Sequence, residues 1–156
     1  MHATPCLWFD NNGEEAITFY TSIFKDSKVG EISRNAEGGP GPKGSMLTGT
    51  FTILGREFMI LNGGPHFKLN EAASIFISCD SQREVDELWE KLTSGGGEES
   101  MCGWLKDRFG VSWQIVPKRL MELMGDKDAQ KAGRVMQAML QMKKIHVPTL
   151  EKAYQG

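Results

Sequence analysis

Short apolar runs alternate with two amphipathic segments, and the order of these patterns occurs twice. Pro5 to Asp10 is an apolar run that predicts a strand. Asn12, with Glu15 three residues on, has the spacing of a helix-capping box. Ala16, Tyr20, Ile23 and Phe24 then recur at helical intervals, so Gly13 to Phe24 is predicted to be an amphipathic helix. Weak alternation predicts a strand over Lys28 to Arg34. Glu37 to Gly44 (EGGPGPKG) is too rich in glycine and proline for regular structure and reads as a surface loop. Met46 to Leu54 and Glu57 to Asn62 predict two strands joined at Gly55-Arg56.

The second half repeats this order. Ser74 to Cys79 predicts a strand, and Ser81 with Glu84 gives a second capping box. Val85, Leu88, Trp89 and Leu92 form a helical stripe that Gly95-Gly96-Gly97 ends. Strands are predicted over Glu98 to Cys102, Trp104 to Asp107 and Val111 to Val116, with a turn at Phe109-Gly110. Asp10 and Asp80 close equivalent strands, Phe19 and Trp89 lie on equivalent helices, and Leu54 to Leu61 resembles Phe109 to Val116, which pairs Met59 with Gln114. Such a repeat implies two βαβββ modules, each too small to bury a comfortable core alone. They are expected over 3–67 and 70–117 of a single domain spanning 1–156, followed by a helical extension over 118–156. In that tail Ala132, Val135, Met136, Met139 and Leu140 make an apolar stripe, which Pro148 interrupts. Its methionines (Met121, Met124, Met136, Met139, Met142) suit packing on the domain or on a second subunit, or an adaptable partner surface.

Composition narrows the function. With 40% hydrophobic and 24% charged residues the chain of 156 reads as an ordinary globular protein. A net charge of −2 offers no basic surface for a phosphate backbone, so no nucleic-acid partner is expected. No apolar run approaches a membrane span, and no secretory leader pattern opens the chain. Cys6, Cys79 and Cys102 are odd in number and form no CxxC, which points to a reducing cytoplasm.

The candidate chemistry is sparse. Gly39 to Gly44 matches GxGxxG, but two prolines stiffen it and a strand follows, so it is not expected to cradle a phosphate. The three histidines, His2, His66 and His146, lie in separate segments and do not suggest a metal site. His66, after a strand end, is the general acid–base candidate, with an idle surface histidine as the plain alternative. Cys102 is the nucleophile candidate, with Lys106 four residues on, or else a small packing residue. Gln114 is the most informative polar residue. An amide amid Trp113, Ile115 and Val116 either braces the core or lines a wet cavity.

FDNNGEEAITFYTSIF (Phe9 to Phe24), FMILNGGPHF (Phe58 to Phe67), EVDELWEKLTSGGG (Glu84 to Gly97), CGWLKDRFGVSWQIVP (Cys102 to Pro117) and VMQAMLQMKKI (Val135 to Ile145) carry a family resemblance. The doubled βαβββ order resembles the vicinal oxygen chelate superfamily, which includes glyoxalase I, extradiol dioxygenases and bleomycin-resistance proteins. More narrowly, the chain is similar to the PhnB-like family, often labelled 3-demethylubiquinone-9 3-methyltransferase. The resemblance implies an α+β fold in which the modules form a curved mixed sheet around a cavity. It also implies a small-molecule ligand and a homodimer. Metal-using members take histidines from the first strand and a glutamate from the last strand of each module. Those positions fall near Ala3 and Ala73 and on Met59 and Gln114, with His2, Thr4 or Ser74 brought in by a shifted register. No set of two histidines and a carboxylate emerges, so neither metal nor cofactor is expected. The expected pocket residues are Met59, Asn62, His66, Phe67, Cys102, Lys106, Ser112 and Gln114. Binding or conversion of a small organic molecule is the leading expectation. Sequestration without chemistry, a metal-dependent lyase or dioxygenase, and methyl transfer are the alternatives. Methyl transfer lacks the doubly wound sheet and Gly-rich turn of a typical methyl-donor site.

Overall fold

A computed structural model describes residues 1–156, which divide into two compact units, Met1–Leu69 and Asn70–Gly156. No helix is long and apolar enough to cross a membrane.

The first unit contains β1 (Cys6–Phe9), α1 (Gly13–Ile23), β2 (Lys28–Arg34), β3 (Met46–Ile53) and β4 (Arg56–Asn62). Its sheet has the order β1-β4-β3-β2, with β1 and β4 parallel and the other pairs antiparallel. The tight turn between β3 and β4 takes Leu54 and Gly55 to φ 48° and 73°, the left-handed geometry that matches hairpin twist. Alternation places Phe51, Ile53, Phe58 and Ile60 on the side that meets Ala16, Ile17 and Tyr20 of α1, and all are buried. Gly49 lets α1 approach closely, since a Cβ there would stand 2.6 Å from Ile17 Cδ1. Tyr20, Phe51 and Phe58 stack at centroid distances of 5.6 and 5.4 Å.

One local expectation fails here. Asn12 precedes α1, but its side chain accepts no capping hydrogen bond. Asn62 does that work from the end of β4: its Oδ1 accepts from the Gly13 N–H at 3.0 Å. The same amide donates to Met46 O at 3.0 Å and Asn11 O at 3.3 Å.

The second unit contains β5 (Ile75–Cys79), α2 (Gln82–Thr93), β6 (Glu98–Glu99), β7 (Trp104–Lys106) and β8 (Ser112–Pro117), then α3 (Lys118–Met124), α4 (Ala129–Met139) and α5 (Val147–Gln155). The strand order is β5-β8-β7-β6, with β5 and β8 parallel. The mixed sheet read from the sequence is therefore two four-stranded sheets, one per unit. Here the capping box forms as expected. Ser81 Oγ accepts from Glu84 N at 3.2 Å, and Glu84 Oε2 accepts from Asp80 N at 2.7 Å. Val85, Trp89 and Leu92 of α2 bury against a sheet face that presents Ile77, Leu105, Trp113 and Ile115. β6 is two residues long, where Glu98 to Cys102 was expected, because the chain turns at Cys102 and Gly103, whose φ values are 60° and 83°.

Asp107 organises the turn before β8. Its Oδ1 accepts from Phe109 N and Val111 N at 2.9 and 3.0 Å, and its Oδ2 accepts from Trp113 Nε1 at 2.8 Å. This buried carboxylate is held in the apolar interior by N–H donors.

The tail packs on its own unit. Leu120, Leu123, Val135, Ile145 and Leu150 cluster with Val116 of β8. Backbone bonds from Cys102 N to Met142 O (2.7 Å) and Gly103 N to Lys143 O (2.8 Å) attach it, and Gln82 clasps it by donating to Ile145 O (3.0 Å) and accepting from Val147 N (2.7 Å). Pro148 lies in the first turn of α5, where a missing N–H costs nothing. Met121, Met136 and Leu140 stay exposed.

Candidate functional site

Strand alternation in the second unit gives its sheet a helix-covered face and an opposite, open face. Because Trp113 and Ile115 meet α2, Ser112 and Gln114 point the other way. Ladder pairing sets Trp104 and Phe76 beside Gln114, and Lys106 beside Ser112. Gln114 Nε2 donates to Ser74 Oγ at 2.9 Å. The open face therefore gathers Ser74, Phe76, Trp104, Lys106, Ser112 and Gln114. Three of these, Lys106, Ser112 and Gln114, were expected pocket residues. Gln114 is half-buried there, away from the core beneath α2.

Two features of this face bear on chemistry. Ser112 is 2% exposed, and its hydroxyl oxygen is buried with no hydrogen-bond partner. Lys106 Nζ meets Glu71 Oε1 at 2.5 Å. That hydrogen bond, with the attraction of the charges, raises the lysine pKa and lowers the carboxyl pKa. Each partner stays ionised near neutrality, so neither is poised to exchange a proton there.

On the first sheet, Met59 pairs with Cys6 and Thr50, on the face away from α1. Trp8 lies on the same side and donates from Nε1 to Gly64 O at 2.8 Å. Phe67 meets the Trp8 ring edge-on at 4.9 Å and is 66% exposed. Met59, Trp8 and Phe67 thus belong to one side of the unit. Asn62 does not join them, since its amide points at the start of α1. His66 is an exposed loop residue next to Phe67. Cys102 is half-buried, at a turn in the second unit whose backbone is tied to the tail. Cys79 is buried, and desolvation chiefly, then Glu84 and Asp80, pushes its thiol up to about 12.

The ladder refines the metal-ligand positions of the resemblance. Gln114 bonds Ser74, and Met59 N donates to Pro5 O, so the facing side chains are those of Ser74 and Phe76 in one sheet and Cys6 in the other. Ala73 is thus one position short of Ser74, and Ala3 is three short of Cys6. Hydroxyl, thiol, thioether and amide groups make a poor donor set for a hard cation. No group of three or more His, Cys, Asp or Glu side chains converges to hold a metal ion. The residues present do not fit a superfamily-type metal.

Sequence reasoning missed four participants. Trp104 was not among the expected pocket residues, although its spacing from Lys106 places it on the open face. Phe76 follows from the same alternation. Asp107 had a local signal in the Asp-Arg-Phe-Gly turn. Glu71 had none, because it reaches Lys106 from an irregular segment.

Residues 1–116 match the model of the family described as 3-demethylubiquinone-9 3-methyltransferase. The PhnB protein of Bacillus cereus, which carries the same description, is 36% identical, with 75% of this chain and 99% of that one covered and a TM-score of 0.69. Protein PA1353 of Pseudomonas aeruginosa is 22% identical over 75% of this chain and 97% of its own, with a TM-score of 0.62. The fosfomycin resistance protein FosX of Listeria monocytogenes shares the fold at 15% identity, covering 75% and 92%, with a TM-score of 0.51. No curated protein matches closely enough to count as a relative. The family match ends at Val116, before α3, so the tail's part of the resemblance lies outside it. The chain belongs to the 3-demethylubiquinone-9 3-methyltransferase family and has the vicinal oxygen chelate fold.

Proposed function

We propose that this member of the 3-demethylubiquinone-9 3-methyltransferase family binds a small organic molecule on the open face of its second sheet. Ser112, Gln114 and Lys106 hold its polar atoms, while Trp104 and Phe76 cover its apolar body. The carrying observation is the Ser112 hydroxyl, buried and unpaired beside a half-buried amide and an ammonium. A buried polar group without a partner is costly, and a ligand atom that reaches it offsets the cost. Met59 and Phe67, with Trp8, are assigned a parallel ligand-contacting role on the first unit. Asn62, also an expected contact, is occupied as a brace. A reducing, cytoplasmic setting suits three unpaired thiols. A homodimer would draw on the exposed Met121, Met136 and Leu140.

Binding without turnover is the reading that Lys106 and Glu71 favour, since each holds the other ionised. His66 and Cys102 remain the acid–base and nucleophile candidates, and neither lies in this polar cluster. Methyl transfer, the activity in the family's name, calls for a methyl-donor site. Neither four-stranded sheet, each with one parallel pair, resembles the doubly wound architecture that commonly supplies one. Calorimetry with S-adenosylmethionine is expected to show no saturable binding.

The test is a fragment screen of carboxylic acids and amides followed on ¹⁵N-labelled protein. Binders are expected to shift β7 and β8 resonances. Loss of the amide's hydrogen bond in Gln114→Ala should weaken them about three- to tenfold with the fold intact. Unfolding of Gln114→Ala would show the amide to be a core brace, and unchanged affinity would remove it from the site.

A further inference from the structure

The Lys106–Glu71 pair says what kind of molecule this face takes. Lys106 is the cation of the cluster and is already matched, at 2.5 Å, by a carboxylate of the same chain. Glu71 comes from the irregular segment before β5, and its side chain is 62% exposed. An ion pair that exposed is weak, so the carboxylate can swing away at little cost. The residue directly across the ladder from Lys106 is Ser112, whose unpaired hydroxyl is closed to solvent in the arrangement that has Glu71 on Lys106. Residues paired on one face of antiparallel strands stand about 5 Å apart, within the span of one carboxylate's two oxygens and their donors. Flanking them are Trp104 and Phe76, the latter 50% exposed.

We infer that Glu71 is a built-in stand-in for the ligand's own anionic group: the face takes a flat, apolar-bodied carboxylate that displaces Glu71 from Lys106, accepts a hydrogen bond from Ser112 and lays its body on Trp104 and Phe76. This rests on the open-face reading above and adds its charge. The exchange leaves the local charge count unchanged, because one carboxylate departs as another arrives. Glu98, paired with Lys106 across the other ladder, stays in place and limits the site to a single added anion. Glu71 then acts as a competitor that sets the affinity.

The probes are benzoate and its neutral counterpart benzamide, titrated into the full chain with ¹⁵N resonances of β7, β8 and the Gln114 side chain as the readout. Benzoate is expected to bind at least tenfold more tightly than benzamide. Glu71→Gln removes the competitor and should tighten benzoate two- to fivefold with benzamide unaffected. Lys106→Met should abolish the preference for the anion. Equal binding of the two probes at this face, or benzoate affinity indifferent to Glu71→Gln, would overturn the anionic assignment and leave the open-face reading standing. Absence of β7 and β8 shifts with both probes would overturn both. Glu71 is exposed, so its variant tests the exchange with no cost to the core.

Discussion

Replacing Ser112 by alanine should make the free protein more stable while weakening what it binds. The side chain is 2% exposed and its oxygen has no partner. Leaving such a hydroxyl unsatisfied costs about 1–3 kcal/mol. Alanine keeps the Cβ and removes one oxygen. The loss is a handful of dispersion contacts at roughly 0.1–0.2 kcal/mol each, and a few tenths more for lower strand preference. The balance is a gain of about 1 kcal/mol. Urea unfolding followed by tryptophan fluorescence measures it. With a slope of about 2 kcal/mol per molar, the midpoint should rise by about 0.5 M with the slope unchanged. The melting temperature should rise by roughly 2–4 °C. A midpoint lower by 0.5 M or more would refute the reasoning, because the hydroxyl would then have a partner in solution, such as an enclosed water. Raised stability together with lost benzoate affinity is the signature of a polar group kept for a ligand at the expense of the fold.

Other residues test the frame around the site. Asp107→Asn keeps one acceptor oxygen but turns an amide donor toward another N–H, either Trp113 Nε1 or the turn backbone, and should cost about 2–4 kcal/mol by urea unfolding. A loss under 1 kcal/mol would mean the turn holds without the carboxylate. Asn62→Ala strips the Gly13 N–H of its acceptor and should destabilise by about 1–2 kcal/mol, the size of a lost helix cap. Benzoate binding should be unchanged, and a weakened titration would return Asn62 to the ligand contacts. Acid should loosen the tail. Asp86 and Glu99 have depressed pKa values, Asp86 chiefly through Lys144 and Glu99 chiefly through the Trp89 N–H. Their stabilisation is complete above the ordinary carboxyl value of about 4 and is lost as pH falls below it through the depressed values. Circular dichroism between pH 5 and pH 2 should show that loss, with Lys144→Gln shrinking it; an equal acid transition in the variant would discount the Asp86 contact.

Much of the architecture was legible along the chain. β2 runs Lys28–Arg34 as expected, and most other elements end within about one residue of their expected limits. The capping box at Ser81 formed because both of its partners lie within one helical turn. The cap expected from Asn12 did not, because the Asn62 amide, 49 positions beyond Gly13, reaches that helix start first. Lys106, Ser112 and Gln114 could be nominated from the sequence together with its family resemblance. Their meeting with Trp104 and Phe76 needed the ladder, since strand register is a pairing between distant segments. The tail shows the same division. Its stripe was visible, but its docking on its own unit came from Gln82 and from the bonds to Cys102 and Gly103.

By itself the sequence determined the repeated βαβββ order, the core-facing helix stripes and the shortage of metal-ligating groups, because each depends on local periodicity or on counting residue types. Only the tertiary structure decided that Glu71 faces Lys106, that the Ser112 hydroxyl is left without a partner and that Asn62 caps a helix. These are relations between groups brought together by folding, and no short-range pattern encodes them.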